Sequence, residues 1–364
     1  MMTKDELEQL SDDELIVRMK KLKNDAAKLD VMQLGLKVTL NSAYGMIGNE
    51  FSRYFDTRIA EGITVSGQLS IRWIERKLYE YLNKACGTEG VSFAVAGDTD
   101  SIYITLAPLV EKFFKDAPKD KIVAALDKLC EVKIQPIINA AYEELADYMN
   151  AYEQKMFMAR EVIADRGLWR AKKNYALNVW NSEGVAYSEP KLKVVGLEST
   201  RSSTPEMCRN AISDSIKLIM TAEESDIQVY IAKFKELFYG AAIEDISHNT
   251  GVKDIDKWAC DEGFISKTPY HVKGAMVFNR LVEEMELTGE YKTIRNGDKA
   301  KLIYLKKANP THNNTITYPD ILPPEFDLHK YVDKKTQWHK KFLDPVNSLL
   351  KIIGWSDTKK NTLW

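Results

Sequence analysis

Two aspartates, Asp98 and Asp100, stand one residue apart in the stretch VAGDTDSIYI, between two short apolar runs. In one extended strand, residues i and i+2 point to the same side about 7 Å apart, so we expect the two carboxylates to lie together. Two like charges about 4 Å apart repel by about 4 kcal/mol at an effective dielectric near 20, and a divalent cation reverses that penalty. Because proteins bind Mg²⁺ with one or two carboxylates and the phosphates of a substrate, the pair predicts a magnesium site.

Two other interpretations of this pair remain open at this point. Aspartate is common in hairpin turns because its side chain bonds to the local backbone, and a D-x-D pair also occurs by chance. The same spacing binds a metal and a diphosphate in nucleotide-sugar glycosyltransferases. Zinc is disfavoured, because the five histidines all lie in the last third of the chain and the four cysteines show no C-x-x-C spacing.

A second chemical pattern lies in the stretch KVTLNSAYG, residues 37–45. At about 100° per residue, Lys37, Asn41 and Tyr44 fall within about 60° of one another on a helix, with Gly48 on the same side. A mobile cation, an amide, a flat aromatic ring and a bare patch together suit a nucleoside triphosphate. The structural alternative is a helix end at which Asn and Gly stop the helix and Tyr44 packs in the core.

The surrounding sequence predicts the elements that position these residues. Three helices are predicted before residue 150, at 11–48 with a capping box of Ser11 and Glu14, at 59–84 with Gly87 as its stop, and at about 120–150. Two β regions are predicted, a hairpin at 91–106 and a strand-rich stretch at 174–200 with its turn at 182–184. Helices dominate from Pro205 onward, and later prolines mark loops in a less regular tail.

Composition limits the class of protein to which this chain belongs. The chain has 364 residues, of which 45% are hydrophobic and 29% charged, so it is globular and large enough for two or more subdomains. No apolar run approaches the roughly 20 residues that span a bilayer, and the N-terminal sequence does not resemble a secretory signal. We therefore expect a protein that does not contact a membrane and is located in the cytoplasm, which would be the host cytoplasm if the protein is viral. A net charge of −2 argues against bulk coating of nucleic acid but permits local basic surfaces.

Together, KVTLNSAYG and GDTDS resemble the family B DNA polymerases, most closely the replicative polymerases of T-even-type bacteriophages. In that family the first motif belongs to the fingers helix that meets the incoming nucleotide, and D-T-D-S belongs to a palm hairpin that carries metal-binding aspartates. Further stretches resemble consecutive palm and thumb segments of the same branch: residues 55–90, 168–180, 189–205 and 269–280. The resemblance is strong for residues 30–205 and looser after about 280.

The resemblance implies an α+β fold, with a polymerase palm of antiparallel sheet and helices, a thumb and the second fingers helix. The implied domains are the fingers at 1–49, the palm with its aspartate hairpin at 50–203, and the thumb with the C-terminal tail at 204–364.

The resemblance also assigns the residues around the incoming nucleotide. Asp98 and Asp100 would be catalytic and would bind the two Mg²⁺ ions of a two-metal mechanism. Lys37 would contact the triphosphate of the dNTP, while Asn41, Tyr44 and Gly45 would line the pocket of the nascent base pair.

Primer-template DNA would be contacted by a further group of residues in the palm. Lys172, Lys173 and Tyr175 match the family's K-K-x-Y element, and Lys193 follows in the next matching segment. Residues 166–201 carry seven Lys or Arg against three Asp or Glu, which suits contact with phosphates. Five basic residues and one acid at 295–307 indicate either a thumb surface on duplex DNA or a merely solvated hairpin.

One family motif is missing from the sequence. A third aspartate, from a D-x-x-S-L-Y-P-S-type palm strand, occurs nowhere in the chain. We therefore expect the C-terminal polypeptide of a split polymerase, active only when an N-terminal polypeptide supplies the exonuclease, the first palm strand with its aspartate and the first fingers helix. The alternatives are a shortened version of a longer chain and a non-catalytic DNA-binding subunit that keeps the polymerase fold. Leu363 and Trp364 are candidate contacts for a sliding clamp.

Overall fold

The structure, a computed structural model, describes residues 9–260 and 263–359. Up to residue 158 the chain is mainly helical, with one short hairpin. The helices are α1 (Asp12–Gly48), α2 (Thr57–Cys86), α3 (Ala107–Phe113), α4 (Lys119–Leu129) and α5 (Gln135–Tyr148), and the strands are β1 (Ala94–Asp98) and β2 (Ser101–Ile104). A π-helical turn, Cys130–Ile134, joins α4 to α5.

After residue 158 the chain alternates between antiparallel sheets and helices. One sheet has the strand order β3-β4-β5, formed by β3 (Val162–Ala171), β4 (Asn174–Ser182) and β5 (Val185–Val195). The helices that follow are α6 (Glu206–Thr221), α7 (Glu224–Gly240), α8 (Ile243–Ile246), α9 (Tyr270–Glu284), α10 (Lys334–Trp338) and α11 (Asp344–Leu350). The remaining strands are β6 (His248–Gly251), β7 (Ala259–Cys260), β8 (Gly263–Phe264), β9 (Lys299–Tyr304) and β10 (Thr315–Tyr318).

Two further sheets and several short helical turns complete these elements. The strand orders are β10-β9-β6 and β7-β8. The 3₁₀ turns are Glu198–Thr200, Ile255–Trp258, Pro324–Phe326, His329–Tyr331 and Lys351–Ile353, and a second π-helical turn is His339–Leu343. The mixture of helices and antiparallel sheets confirms the predicted α+β class. Among the described residues, none of the helices has the length and apolar character needed to cross a membrane.

The chain divides into two compact units by its internal packing. The first unit contains residues up to 115 together with 132–158, and the second contains 116–131 together with the residues from 159 onward. This division follows packing alone, so the fingers, palm and thumb bounds derived from the resemblance stay predictions.

The first unit buries one half of α2 and leaves α1 uncovered. Ile74, Leu78 and Leu82, spaced four residues apart, are at most 4% exposed and lie in the half of α2 that packs against α5. The predicted capping box begins α1, because Ser11 Oγ accepts a hydrogen bond from the Glu14 amide and the Glu14 carboxylate accepts one from the Ser11 amide. No described residue of α1 is buried, so its apolar residues do not form a core within this chain.

Asn83 connects the end of α2 to the hairpin of β1 and β2. It is 8% exposed, and its Nδ2 donates to the Val91 carbonyl at 2.9 Å and to the Tyr79 carbonyl at 3.0 Å. Its Oδ1 accepts from the Val91 amide at 3.2 Å and from Thr88 Oγ1 at 2.9 Å. Because Phe93, just before β1, is 1% exposed, the entry to the hairpin is fixed by one buried amide and one buried ring.

The second unit contains the main hydrophobic core. Residues of β3, β4, α6, α7, α9 and α11 contribute to it, and the rings of Phe234, Trp338 and Phe342 lie within 4.5–5.8 Å of one another. Helix α9 packs closely on β10, because a Cβ on Gly274 would lie 2.7 Å from Thr317 Oγ1.

The structure differs from the sequence analysis at three points. The helix predicted at about 120–150 extends from Lys119 to Tyr148 but includes the π-helical turn, and β3 was not predicted, because Asp165, Arg166 and Gly167 break its apolar pattern. The solvated-hairpin alternative for residues 295–307 is wrong. Strand β9 is the central strand of its sheet, and Leu302 and Ile303 within it are fully buried.

We predict that Asn83→Ala lowers the free energy of unfolding by about 2–3 kcal/mol, because the backbone amide and carbonyl of Val91, the Tyr79 carbonyl and the Thr88 hydroxyl each lose a hydrogen bond to the Asn83 side chain. Urea unfolding followed by circular dichroism measures the loss, and hydrogen exchange should show faster opening of the β1 amides. Asn24→Ala, an exposed change in α1, is the control and should alter stability by less than about 0.5 kcal/mol. Unchanged exchange at β1 in Asn83→Ala would contradict the assignment.

We also predict a histidine contribution to acid unfolding. His248 in β6 is 3% exposed, and burial together with nearby Lys341 and His271 lowers its pKa to about 3. Since an unfolded histidine has a pKa near 6.5, the neutral ring stabilises the fold fully above that pH, and the stabilisation is lost as pH falls toward 3. Between pH 6 and 4, the free energy of unfolding should fall more steeply with decreasing pH in the wild type than in His248→Gln. The difference between the two slopes should be about 1.4 kcal/mol per pH unit. His329→Gln is the control for removal of a surface histidine, and equal slopes in wild type and His248→Gln would refute the prediction.

Candidate active site and nucleic-acid interface

Asp98 and Asp100 lie on either side of a single tight turn in the first unit. Asp98 is the last residue of β1 and pairs with Ser101, the first residue of β2, which leaves Thr99 and Asp100 as the connection. Thr99 has a φ of 54°, and the Asp100 amide donates to the Asp98 carbonyl at 2.6 Å. The expectation that both aspartates belong to one extended strand is therefore wrong, because the chain reverses direction between them.

The turn is stabilised by short-range hydrogen bonds. Thr99 Oγ1 donates to Asp98 Oδ1 at 3.0 Å, and Ser101 Oγ donates to the Asp98 carbonyl at 3.1 Å. A β-branched residue at positive φ costs on the order of 1–3 kcal/mol, and such strain is concentrated at functional sites. Asp98 is half-buried and Asp100 is exposed, so both carboxyl groups belong to a constrained, accessible turn.

The turn offers part of a metal site. Two carboxylates provide the hard oxygen ligands that suit Mg²⁺. Within the described residues, no three His, Cys, Asp or Glu side chains form a group that could hold a metal ion. Two carboxylates are the number that proteins commonly supply to Mg²⁺ when substrate phosphates and water provide its other ligands, so the chemistry of these two side chains fits that ion.

The nucleotide motif lies within α1 and is open to solvent. Lys37, Asn41 and Tyr44 are all exposed, and the helix continues past them to Gly48, with Asn49 as its C-cap. The alternative in which Asn and Gly stop the helix and Tyr44 packs in the core is therefore wrong. A Cβ at Gly45 would meet nothing within 4 Å, so packing within this chain does not require a glycine there.

Helical geometry separates two faces of α1. Leu29, Leu36 and Leu40 are 65%, 68% and 73% exposed and fall within about 60° of one another around the helix axis. Lys37 and Asn41 lie about 80° and 120° around the helix from the middle of this leucine stripe, whereas Tyr44, four residues after Leu40, lies at its edge. The side with Lys37 and Asn41 therefore presents polar groups suited to a nucleotide, and it adjoins an uncovered apolar surface.

Lys172 and Lys173 form the two-residue turn between β3 and β4 in the second unit. Ala171 pairs with Asn174 across the turn, both lysines are exposed, and Lys173 has a φ of 60°. Tyr175, predicted to contact DNA beside them, is 7% exposed, and its ring lies 6.1 Å from that of Trp169. Within this structure the lysines are accessible to a ligand and the tyrosine is a packing residue.

Much of the positive charge predicted for residues 166–201 is neutralised within the chain. Lys193 Nζ lies 2.5 Å from a carboxylate oxygen of Glu161, and Arg170 and Arg201 both pair with Glu198. These pairings are invisible in a count of charges along the sequence. The exposed lysines of the segment are Lys172 and Lys173 at the turn between β3 and β4 and Lys191 on β5.

Asn83 is a supporting residue that the sequence did not single out. It lies next to Leu82 on the buried side of α2, and it fixes the approach to the hairpin that carries Asp98 and Asp100. A polar residue at the buried end of an apolar stripe is the sequence signal that identifies such a position.

Comparison with known proteins links these elements. Residues 14–114, which include nearly all of α1, all of α2 and the hairpin, match the family model of DNA polymerase family B. The chain is 35% identical over 346 residues to the DNA-directed DNA polymerase of Enterobacteria phage T4 and 32% identical over 348 residues to that of Escherichia phage RB69. Each alignment covers 91% of this chain and 38% of the phage protein.

More distant relatives are also named as DNA polymerases. DNA polymerase 1 of Aeropyrum pernix is 26% identical over 262 residues, which is 69% of this chain and 22% of that protein. The DNA polymerase alpha catalytic subunit of Trypanosoma brucei brucei is 29% identical over 225 residues, which is 60% of this chain and 14% of that protein. By its matching segments this chain belongs to DNA polymerase family B, in the branch of the T-even-type phage polymerases.

Proposed function

We propose that this chain is the C-terminal part of a DNA-directed DNA polymerase that transfers nucleotides to a primer 3′-hydroxyl as directed by a template. The observation that carries the proposal is the occurrence of an exposed nucleotide face on α1 and a constrained two-aspartate turn within the one segment, residues 14–114, that matches family B. Two-metal phosphoryl transfer needs carboxylates beside a site for a triphosphate, and this segment contains both kinds of group.

Asp98 and Asp100 would bind the two Mg²⁺ ions beside the primer terminus. Bound there, Mg²⁺ would neutralise charge on the phosphates and favour the ionised form of the attacking hydroxyl. The contribution of the chain is to fix both carboxyl groups at the Thr99 turn, so that little conformational freedom is lost when substrate binds.

The exposed face of α1 would bind the incoming dNTP. The Lys37 ammonium would pair with phosphate oxygens, and Asn41 and Tyr44 would lie against the nascent base pair, where wrong shapes are excluded by packing. Gly45 would allow close approach, which agrees with the open space around its Cα.

Primer-template DNA would bind at the turn between β3 and β4. Lys172 and Lys173 offer exposed positive charge to the phosphates without reading base sequence. Tyr175 would support that turn through its packing on Trp169. Lys193 would contact DNA only after release from Glu161, because that ion pair occupies its ammonium group in this structure.

The catalytic unit would be completed by a separate N-terminal polypeptide that carries the exonuclease, the first palm strand and the first fingers helix. The chain spans 38% of the length of its phage relatives, and the D-x-x-S-L-Y-P-S-type motif with its aspartate does not occur in its sequence. The leucine stripe of α1 adds a third argument, since burial of one exposed leucine contributes about 1.5–3 kcal/mol to association. Leu363 and Trp364, the candidate clamp contacts, lie outside the described residues, and that contact stays a prediction.

We predict that Asp100→Asn and Asp98→Asn each slow primer extension by about 10²- to 10³-fold, because each removes charge that opposes a cation. The assay mixes the chain with a polypeptide that carries the missing family segments, labelled primer-template, dNTPs and Mg²⁺. Asp147→Asn, an exposed change at the end of α5, is the charge-matched control and should keep the wild-type rate. Extension at the wild-type rate by Asp100→Asn would instead favour the non-catalytic DNA-binding subunit.

We predict that Leu36→Glu weakens association with that polypeptide by about 30-fold, which corresponds to about 2 kcal/mol, because the leucine stripe can no longer be buried without a charge. Isothermal titration calorimetry measures the affinity. Val31→Glu, which lies about 140° from Leu36 around α1 and is 71% exposed in the wild type, is the matched control. Equal affinities of the two variants would show that the leucine stripe does not contact the partner.

A further inference from the structure

The turn of Lys172 and Lys173 rests on a network of side chains that its own sequence motif does not include. Asn174, the first residue of β4, donates from Nδ2 to the Lys172 carbonyl at 3.1 Å. Its Oδ1 accepts from Arg170 Nη2 at 3.3 Å. One amide side chain thereby connects the backbone of the turn to an arginine on β3.

Gly196 fixes the other side of the same turn. It follows β5 with a φ of 67°, and a Cβ built on it would lie 2.1 Å from the Lys173 carbonyl oxygen and 3.1 Å from Asn174 Oδ1. Only glycine allows the chain after β5 to lie this close to the turn without displacing it. The position of the Lys173 backbone is therefore set by a direct contact with Gly196.

Glu198 binds both arginines that surround this contact. Its carboxylate accepts two hydrogen bonds from Arg170, at 2.7 and 3.1 Å, and lies 3.8 Å from Arg201 Nη1. Arg201 in turn donates to the Gly196 carbonyl at 2.8 Å. Burial raises the pKa of Glu198, but the hydrogen bonds from Arg170 outweigh burial, so the pKa lies below its ordinary value.

In this network the guanidinium groups of Arg170 and Arg201 pair with the Glu198 carboxylate and not with a ligand. Arg170 is 20% and Glu198 21% exposed in their side chains, so solvent screens their pairing only partly. A turn with a lysine at positive φ costs on the order of 1–3 kcal/mol and persists only where the surroundings determine it. Together, Arg170, Arg201, Asn174 and Gly196 hold Lys173 in this conformation.

We propose that Glu198 is a positioning residue for DNA binding. It holds Arg170 and Arg201, which act through Asn174 and Gly196 to keep the Lys172–Lys173 turn in the conformation that meets the DNA backbone. The inference rests on the proposed function, because it assigns a supporting network to the turn that is proposed to bind primer-template DNA. A preformed turn binds more tightly because less ordering is required on association.

The test measures DNA affinity of the full 364-residue chain by fluorescence anisotropy with a labelled primer-template duplex at several salt concentrations. Glu198→Gln is compared with Glu189→Gln, an exposed change near the middle of β5 that removes the same charge. Loss of a negative charge by itself favours DNA binding in both variants. We expect Glu189→Gln to bind as well as or better than wild type, and Glu198→Gln to bind about 5- to 10-fold more weakly.

Three further variants separate positioning from loss of stability. Gly196→Ala displaces the turn without a change of charge and should weaken binding like Glu198→Gln. Lys172→Ala combined with Lys173→Ala should weaken binding. The slope of log K against log salt should become shallower by the amount that corresponds to the loss of about two phosphate contacts. If Glu198 acts only through the two lysines, the variant with both lysine changes and Glu198→Gln should bind DNA as weakly as the variant with the lysine changes alone. A general loss of stability would weaken the binding of the triple variant further. Thermal unfolding of each variant ensures that binding is compared among folded proteins.

The outcomes distinguish the inference from the function on which it rests. No binding of duplex by the wild type, or no effect of removing both lysines, would overturn the proposed DNA contact and the inference with it. A lysine effect together with unchanged or tighter binding by Glu198→Gln would overturn the inference alone. An additional loss when Glu198→Gln is combined with the lysine changes would also overturn it.

Discussion

Repulsion between two carboxylates at one tight turn is the constraint on which the proposed chemistry depends. Asp98 and Asp100 flank Thr99, whose positive φ and side-chain hydrogen bond keep the turn closed. Two like charges this close along the chain repel each other, and a divalent cation would convert that repulsion into attraction. A cation bound there, as proposed, would account for both the strain and the charge at this turn.

Incomplete burial in the first unit has the same explanation. Helix α1 has a complete N-terminal cap and 37 residues, yet none of them is buried. An isolated helix of this kind gains its stability from packing rather than from propensity, and the proposed N-terminal polypeptide would cover its leucine stripe. In the second unit, by contrast, a continuous core fixes the strands, and internal ion pairs neutralise part of the positive charge of residues 166–201.

Much of the fold could be predicted from local signals, because those signals act over a few residues. The capping box of Ser11 and Glu14, the stop at Gly87 and the turn at 183–184 all have the predicted local chemistry. Strand β3 could not be predicted, since its polar residues find partners on neighbouring elements, such as Asn178 Nδ2 donating to Asp165 at 2.8 Å.

The geometry of the candidate-site residues agrees with the sequence analysis only in part. The residues of α1 are exposed on a continuous helix, but the two aspartates do not share a strand, because backbone conformation at Thr99 overrides the extended pattern. The burial of Tyr175 and the pairing of Lys193 with Glu161 depend on strand register and long-range packing, which neighbouring residues in the sequence do not encode.

The most direct measurement of the central claim is a Mn²⁺ titration of the isotopically labelled chain in the presence of a dNTP, followed by paramagnetic broadening of backbone amide resonances. The account predicts that the amides of residues 98–101 broaden first and that Asp100→Asn removes this selective effect. Broadening that begins elsewhere and leaves these four amides sharp would contradict a metal site at the turn.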